Sequence, residues 1–319
     1  MRAFLLAVAL VLLLLPAAPA SAAPGTLTVS LTFDDGFKSQ ADAAQVLAKH
    51  RMNGTFYVIN GLVGYGDYLS WADIDALAAQ GNEIGGHTVT HPHLDQLPYA
   101  QAKAEICDNR ATLLARGYRV TSFAYPYGSP SADNERQAAE CGYNSARDVS
   151  GLVDAENASC LDCALANPVP PADLFRIRGN SSTTDHLAGV EQYVTQALQH
   201  PGASWVPLIF HRFCTSACAS EKGDEYMSIA DFDRLLTWLA QQPGVVVRTV
   251  QQVVGGPVRP SVGTPTPDRV APAAVSDAVA WRPFDVPIGQ EQVLVGGLVV
   301  AVCAVGVFRL SRRGRRYVR

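Results

Sequence analysis

The chain has 319 residues, of which 48% are hydrophobic and 17% are charged. This length and balance allow one large domain with accessory segments and exclude global disorder. Seven of the 25 basic residues are Arg2 and six arginines near the C-terminus, so the rest of the chain is more acidic than the net charge of −4 indicates. An acidic domain argues against nucleic acid as a partner.

Residues 1–22 are typical of a secretory signal peptide. Arg2 precedes a 13-residue apolar run, and small residues with Ala-x-Ala spacing follow. The alternative is an uncleaved anchor helix, but 13 residues are too few to span a membrane. We expect cleavage after Ala22, or alternatively after Ala20, and export of the remaining chain.

Between residues 26 and 254, short β-rich runs alternate with helical stretches. The predicted strands are 26–33, 55–60, 83–86, 120–125, 143–146, 175–178, 205–210 and 245–250. The predicted helices are 38–50, 71–80, 99–116, 133–141, 186–200 and 229–241. This alternation implies parallel strands, because a parallel pair needs a crossover connection. About seven units predict an α/β barrel, closed or nearly closed, with a doubly wound open sheet as the competing architecture.

Two motifs at predicted strand ends indicate a metal site. Asp34 and Asp35 end the first strand, and His87 and His91 follow the strand at 83–86. Two imidazoles and one carboxylate give three protein ligands, which leaves positions open for water and substrate. The second carboxylate can then stand beside the metal as a base. Taken alone, the first motif could be a solvated Asp-Asp-Gly turn. The second, taken alone, could be a structural histidine pair. We interpret His93 as a surface residue or a neighbour of the ligands.

Two further strand ends carry candidate residues. The segment Tyr-Pro-Tyr-Gly at 125–128 contains Tyr127 and predicts a rigid aromatic wall suited to a sugar, or ordinary loop packing. The strand at 205–210 is followed directly by His211, which could donate a proton to a leaving amine.

Together these motifs resemble those of the polysaccharide deacetylase family (carbohydrate esterase family 4). They are Thr-Phe-Asp-Asp-Gly, His-Thr-x-Thr-His, Phe-x-x-Pro-Tyr-Gly and Leu-x-x-His, in this order, and the resemblance covers residues 27–254. It implies a distorted (β/α) barrel that uses a divalent metal, most often Zn²⁺, to remove acetyl groups from polymers. The implied metal ligands are Asp35, His87 and His91. The implied catalytic groups are the general base Asp34, the general acid His211 and the backbone N–H of Tyr127, which faces the oxyanion.

The chain departs from the family pattern in three places. Ala124 stands where the third motif usually has an arginine that pairs with the base, the fourth motif has no clear match, and the last leucine lies three residues before its histidine instead of two. We predict that Arg178 supplies the missing charge to Asp34, with Arg147 as the other candidate.

Six cysteines lie outside the C-terminal apolar run, and an even number in an exported domain points to disulfides. Proximity alone pairs Cys160 with Cys163 and Cys214 with Cys218, and leaves Cys107 for Cys141. Half a zinc site or a redox motif is the alternative for the Cys-x-x-Cys segment.

The C-terminal sequence predicts a linker, a membrane anchor and a short basic tail. Residues 255–290 are Pro-rich and predict an extended linker. Residues 291–310 contain 16 consecutive uncharged residues and predict a transmembrane anchor, with a buried helix as the alternative. The arginines of residues 311–319 place that end in the cytoplasm. A removable sorting signal ends similarly, but no Leu-Pro-x-Thr-Gly motif precedes this one.

The sequence therefore predicts a monomeric, metal-dependent hydrolase of a linear amide, anchored in the cell membrane with its catalytic domain outside. Its expected reaction is the deacetylation of an N-acetylated cell-surface polysaccharide. The alternatives are an O-acetyl esterase acting on a xylan-like polymer and an inactive glycan-binding module.

Overall fold

The computed structural model describes residues 26–128, 130–153, 163–181, 186–200, 202, 204–215 and 226–267. The predicted signal peptide, membrane anchor and basic tail lie outside these residues, as does the predicted linker beyond residue 267. Among the described residues, no helix has the length and apolar character needed to cross a membrane.

In the described part of the chain, seven parallel strands form the centre of the fold. They are β1 (Leu27–Phe33), β2 (Thr55–Val58), β3 (Glu83–Gly86), β4 (Ser122–Ala124), β5 (Ser145–Gly151), β6 (Ile177–Gly179) and β7 (Trp205–Phe210). Each strand pairs with the next from β1 to β6, and β7 pairs with β1. A parallel bridge between Asn180 and Leu208 brings the end of β6 to β7. The sheet therefore curls into the predicted distorted barrel, and the open doubly wound sheet does not form.

Helices pack around the outside of this sheet. They are α1 (Gln40–Lys49), α2 (Trp71–Ala79), α3 (Tyr99–Ala115), α4 (Ala132–Glu140), α5 (His186–Gln199), α6 (Ile229–Gln241) and α7 (Val250–Val254). Local sequence sets several of their starts. Ser70 and Ser131 each form a capping box with the residue three positions later, which satisfies backbone N–H groups of the first helical turn.

Three short strands extend the sheet system. β8 (Arg212–Cys214) and β9 (Tyr226–Ser228) pair with each other beyond β7, and β10 (Val245–Val247) pairs with the first half of β1. The strand predicted over 245–250 is therefore too long. The Thr249 side chain accepts a hydrogen bond from the Gln252 N–H and begins α7 instead.

The side chains of β1 alternate between an apolar and a polar row. Its four fully buried apolar residues belong to the hydrophobic core: Leu27, Val29, Leu31 and Phe33. The intervening Ser30 accepts a hydrogen bond of 2.9 Å from the Trp205 indole, and Thr32 donates one of 2.9 Å to the Leu208 carbonyl. Neighbouring side chains on a strand point to opposite faces, so Asp34 continues the polar row into the barrel.

The disulfide described for this part of the chain joins Cys107 of α3 to Cys141, which follows α4. This is the pairing that proximity suggested. Cys163 and Cys214 are also disulfide-bonded. The other two predicted pairings each include a residue outside the described part and stay predictions.

Residues 255–267, the C-terminal strap, run along α3 without regular secondary structure. Arg110 Nη2 donates to the Arg259 carbonyl at 2.8 Å, and the Thr266 N–H donates to Thr112 Oγ1 at 2.8 Å. This part of the predicted linker is bound to the domain by specific hydrogen bonds.

Candidate metal and catalytic site

The candidate site lies where the central strands end. Asp34 and Asp35 follow β1, His87 follows β3 and His211 follows β7. Because these strands are parallel, their carboxyl ends meet at one end of the barrel, where such folds hold their catalytic groups.

Asp35, His87 and His91 form a three-ligand cluster. Asp35 Oδ1 lies 3.3 Å from the Nε2 atoms of both histidines, and one ligand atom from each residue lies within 4.8 Å of the others. Asp35 Oδ1 is buried and makes no hydrogen bond within the described part of the chain. One carboxylate and two imidazoles around such an atom suit a small divalent cation.

A backbone contact orients the first imidazole. His87 Nδ1 lies 2.8 Å from the Ala124 carbonyl, an acceptor, so Nδ1 carries the proton and the Nε2 lone pair faces Asp35. Ala124, whose side chain departs from the family pattern, therefore still contributes its backbone carbonyl to the site.

The electrostatics of the cluster favour a bound cation. Burial opposes ionisation of Asp35, but the three nearby histidines lower the pKa of its carboxyl to about 2. Burial and the neighbouring His87 lower the pKa of His91 to about 4, so its imidazole is neutral at pH 7, as a ligand must be. Burial opposes the charged form of His87, yet contact with Asp35 and the charge of Asp34 raise the pKa of His87. The carboxylates of Asp34 and Asp35 thus favour a positively charged group beside them.

Asp34 forms a buried ion pair with Arg147. Arg147 Nη2 lies 2.5 Å from both carboxylate oxygens, and the two side chains are 1% and 2% exposed. Burial acts to raise the pKa of Asp34, but the Arg147 guanidinium, with help from His87 and His211, lowers it overall. Asp34 is therefore ionised at neutral pH and able to accept a proton.

The prediction that Arg178 supplies this charge is wrong. Arg178 is exposed between the buried Ile177 and Gly179 of β6, so its side chain points away from the barrel interior. Arg147, the other candidate, is buried in β5 and reaches Asp34 across the barrel. Strand alternation decides between the two arginines.

Gln40 links Asp34 to His211. Its Nε2 donates to the Asp34 carbonyl at 2.5 Å and to the His211 carbonyl at 2.9 Å, which ties the ends of β1 and β7 together. His211 Nδ1 is buried and makes no hydrogen bond within the described residues. The sequence analysis missed Gln40; its place in the first turn of α1, directly after the Asp-Asp-Gly turn, was the available signal.

Tyr127 forms an aromatic pair with His93 at the rim of the site. The Tyr127 side chain is 53% exposed, and its ring stacks on His93 with centroids 3.8 Å apart and planes 13° from parallel. The ring centroid also lies 4.6 Å from that of His91. An exposed, fixed aromatic ring thus lies directly beside the ligand cluster, with His93 as its support.

Residues 22–146 match the profile of a family described as polysaccharide deacetylase. This segment of the chain is similar to that family. The matched segment contains Asp34 and the three-ligand cluster, and the resemblance drawn from the motifs is confirmed.

Relatives of this chain match it over limited lengths. It is 25% identical over 175 residues to an uncharacterized protein of Streptomyces coelicolor, covering 54% of this chain and 68% of that protein. It is 29% identical over 122 residues to the putative polysaccharide deacetylase YxkH of Bacillus subtilis, covering 38% and 44%. It is 34% identical over 122 residues to a chitooligosaccharide deacetylase of Sinorhizobium fredii, covering 37% and 55%. The chain therefore spans about half the length of these last two relatives.

Solved structures of similar outline include the peptidoglycan deacetylase PdaC of Bacillus subtilis. Its identity to this chain is 20%, with a TM-score of 0.46 over 72% of this chain and 91% of that one. A family 4 carbohydrate esterase from Streptomyces lividans, solved with acetate, gives 20% identity and a TM-score of 0.45 over 70% and 93%.

The site has a second surface that contains aromatic rings, which we call the loop platform: Phe37, Tyr68 and Arg212. The Phe37 and Tyr68 rings stack at 5.2 Å, and their backbones are joined by an antiparallel bridge. The Arg212 guanidinium lies 3.6 Å from the Phe37 ring centroid. The Leu69 N–H donates to the Gly36 carbonyl at 2.9 Å, which places the platform beside the turn that carries Asp35. Burial and the Asp35 carboxylate raise the pKa of Tyr68. Sequence analysis missed the platform because its members come from three separate segments of the chain.

Backbone strain is concentrated at this site. Asp35, Thr88, His91 and Tyr127 have φ angles of 73°, 67°, 62° and 58°. Left-handed φ is unfavourable for residues other than glycine and persists where the surrounding structure imposes it, often at functional sites. Both loops that carry metal ligands, and the Tyr127 turn, are held in such conformations.

Proposed function

We propose that this chain is a divalent-metal-dependent hydrolase that removes acetyl groups from an N-acetylated polysaccharide at the cell surface. The observation that carries this proposal is the ionised, Arg147-paired Asp34 immediately beside the cluster of Asp35, His87 and His91. The similarity of residues 22–146 to the polysaccharide deacetylase family supports the reaction class. The residues in the next two paragraphs support the assignment of roles.

Asp35, His87 and His91 are the proposed metal ligands, and Zn²⁺ is the proposed metal. A cation held by these three residues would supply Lewis-acid chemistry, which polarises an acetyl carbonyl and lowers the pKa of a water molecule. Asp34 accepts the proton of that water as it attacks the acetyl carbon. Arg147 holds the carboxylate of Asp34 in place and keeps it ionised for this task.

Two further groups complete the proposed reaction. The Tyr127 backbone N–H donates to the negative oxygen that develops on the acetyl carbon. His211 gives a proton to the amine nitrogen as the carbon–nitrogen bond breaks. The products are acetate and a free amino sugar. Asp34 then loses its proton to solvent and His211 takes one up from solvent, which restores both groups.

Aromatic rings near the ligand cluster offer a means of holding a sugar. Tyr127 is exposed and stacks on His93, and the partly exposed Tyr68 of the loop platform pairs with Phe37, two residues after Asp35. Pyranose rings pack their C–H faces on aromatic side chains, so these surfaces suit a polysaccharide substrate.

The proposed location follows from segments outside the described residues. A cleaved signal peptide over 1–22, an anchor over 291–310 and a basic tail over 311–319 would leave a monomeric catalytic domain outside the membrane, close to the cell's own envelope.

The test is acetate release from chitooligosaccharides, peptidoglycan and acetylxylan, with and without a chelator. We expect metal-dependent release from an N-acetylated substrate, and none from the matched Asp34→Asn variant. Release from acetylxylan alone would favour the O-acetyl esterase. Zinc binding without release from any substrate would favour a glycan-binding module and refute the hydrolase.

A further inference from the structure

The metal loop, residues 87–91, carries two of the three proposed ligands in a strained conformation. Thr88 and His91 both have left-handed φ angles, 67° and 62°. Within the loop, the His91 N–H donates to Thr88 Oγ1 at 2.9 Å. Strain of this kind must be held by contacts from outside the loop.

Glu105 of α3 supplies the first of these contacts. Its Oε2 accepts hydrogen bonds from the Val89 N–H at 2.9 Å and the Thr90 N–H at 2.8 Å. Its Oε1 accepts a third from the Thr90 hydroxyl at 2.8 Å. The carboxylate therefore fixes the two residues in the middle of the loop.

Asn109 supplies the second contact, one helical turn further along the same face of α3. It is fully buried, and its Nδ2 lies 2.6 Å from the Thr88 carbonyl, 2.7 Å from Asn60 Oδ1 and 3.0 Å from the Val58 carbonyl. One amide thus joins the metal loop to the end of β2.

These contacts continue into the C-terminal strap. Asn60 Nδ2 donates to Thr266 Oγ1 at 2.7 Å, and Thr266 Oγ1 also lies 2.9 Å from Thr112 Oγ1. A hydrogen-bonded path therefore runs from the metal loop through two amides to the strap, which lies outside the segment that matches the family profile.

We propose that Glu105 and Asn109 are positioning residues that hold the metal loop in its ligand-binding conformation, with Thr266 as the outer end of the same clamp. The proposal rests on the proposed metal site. A loop that relaxes in the metal-free protein must be ordered again when the metal binds, so loss of the clamp weakens metal binding. Partners that orient metal ligands contribute about 10- to 100-fold in affinity.

The test is Zn²⁺ affinity of the full chain, measured by competition with a chromogenic chelator. We expect Glu105→Ala to bind Zn²⁺ roughly 10-fold more weakly than wild type. The matched control is Lys103→Ala, on the same helix, whose ammonium pairs with Glu140 away from the loop. It should bind as wild type does. Thermal midpoints of the metal-free variants should agree, while the rise on adding Zn²⁺ should shrink only in Glu105→Ala.

A conservative variant separates positioning from simple attraction between charges. Glu105→Gln loses the negative charge but keeps an oxygen for the backbone N–H groups, so most of the affinity should return. Thr266→Val removes the side-chain hydrogen bonds to Asn60 and Thr112, of which only the one from Asn60 leads to the metal loop. Binding should therefore weaken by roughly threefold, the effect of that one modest hydrogen bond.

Each outcome has a distinct meaning. Wild-type protein that binds no Zn²⁺ would overturn the metal site itself. Wild-type binding with unchanged affinity in Glu105→Ala would overturn the clamp alone, as would Glu105→Gln binding as weakly as Glu105→Ala. Unchanged affinity in Thr266→Val would remove the strap from the clamp.

Discussion

Replacing Arg147 with Met should leave the Asp34 carboxylate buried without its counter-charge. Methionine fills much of the same space but removes both 2.5 Å contacts. Burial is the largest influence on the pKa of Asp34, and it acts upward. Without the guanidinium we expect burial to dominate and to raise the pKa of the Asp34 carboxyl above its usual value.

The cost in stability follows from the same geometry. Both side chains are almost fully buried, and removing one partner of a buried pair typically lowers the free energy of unfolding by about 3–5 kcal/mol. In wild type the folded-state pKa of Asp34 is below its unfolded value, so its contribution is present above pH ~4 and is lost as the pH falls. In Arg147→Met the folded pKa lies above the unfolded value, so stability is instead lost as the pH rises.

Urea unfolding at pH 7 and pH 4 measures both effects. The difference between wild type and Arg147→Met should be large at pH 7 and smaller at pH 4. Arg178→Met is the matched control, and its exposed side chain predicts a change within about 0.5 kcal/mol. The acid limb of the kcat/KM profile should also move to higher pH in Arg147→Met. An equal loss of stability at both pH values, or in both variants, would refute the assignment of Arg147 to Asp34.

Three further outcomes are expected. Removing divalent metal with a chelator should abolish acetate release, and added Zn²⁺ should restore it; activity that survives in verified metal-free protein would contradict the proposed mechanism. Tyr68→Ala should raise KM for an N-acetylated oligosaccharide roughly 3- to 10-fold, the effect of one lost aromatic contact, while hydrolysis of a small aryl acetate stays nearly unchanged; equal losses on both substrates would argue against sugar binding at the loop platform. Replacing Cys107 and Cys141 together with Ser should lower the free energy of unfolding by about 4 kcal/mol, because the disulfide closes a loop with a sequence separation of 34, and urea midpoints under oxidising conditions measure this.

The barrel and the ligand cluster were accessible from sequence because local patterns encode them. Alternating strand and helix patterns imply parallel pairing, and parallel strands bring their carboxyl ends together. Asp35 lies two residues after β1 and His87 directly follows β3. The topology of the sheet therefore brings these two side chains close together. The capping residues Ser70 and Ser131 likewise set helix starts through contacts only three residues long.

The choice between Arg147 and Arg178 required knowledge of which way each residue points. Both lie in strands whose predicted boundaries were shifted, 143–146 against Ser145–Gly151 and 175–178 against Ile177–Gly179. Because strand alternation has a period of two, an uncertain boundary leaves the inward face undetermined.

The loop platform and the C-terminal strap depend on contacts between distant parts of the chain. Phe37 and Arg212 are 175 positions apart in number, yet they stack. The strap is Pro-rich and has no periodic apolar pattern, so its sequence predicts an extended chain but not the surface that binds it. Hydrogen bonds such as that from Asn60 to Thr266 leave no local signal.

The polar row of β1 also limits how this chain can vary. Asp34 and Asp35 are adjacent, yet one reaches Arg147 inside the barrel and the other reaches the two histidines. Deleting a single residue within β1 would exchange the faces of the two carboxylates and turn the core row toward the barrel interior. The number of residues between the paired part of β1 and the Asp-Asp dipeptide is therefore tightly constrained. The loops that follow the strands tolerate changes in length far better. Insertions among related chains should collect in those loops and leave β1 at constant length.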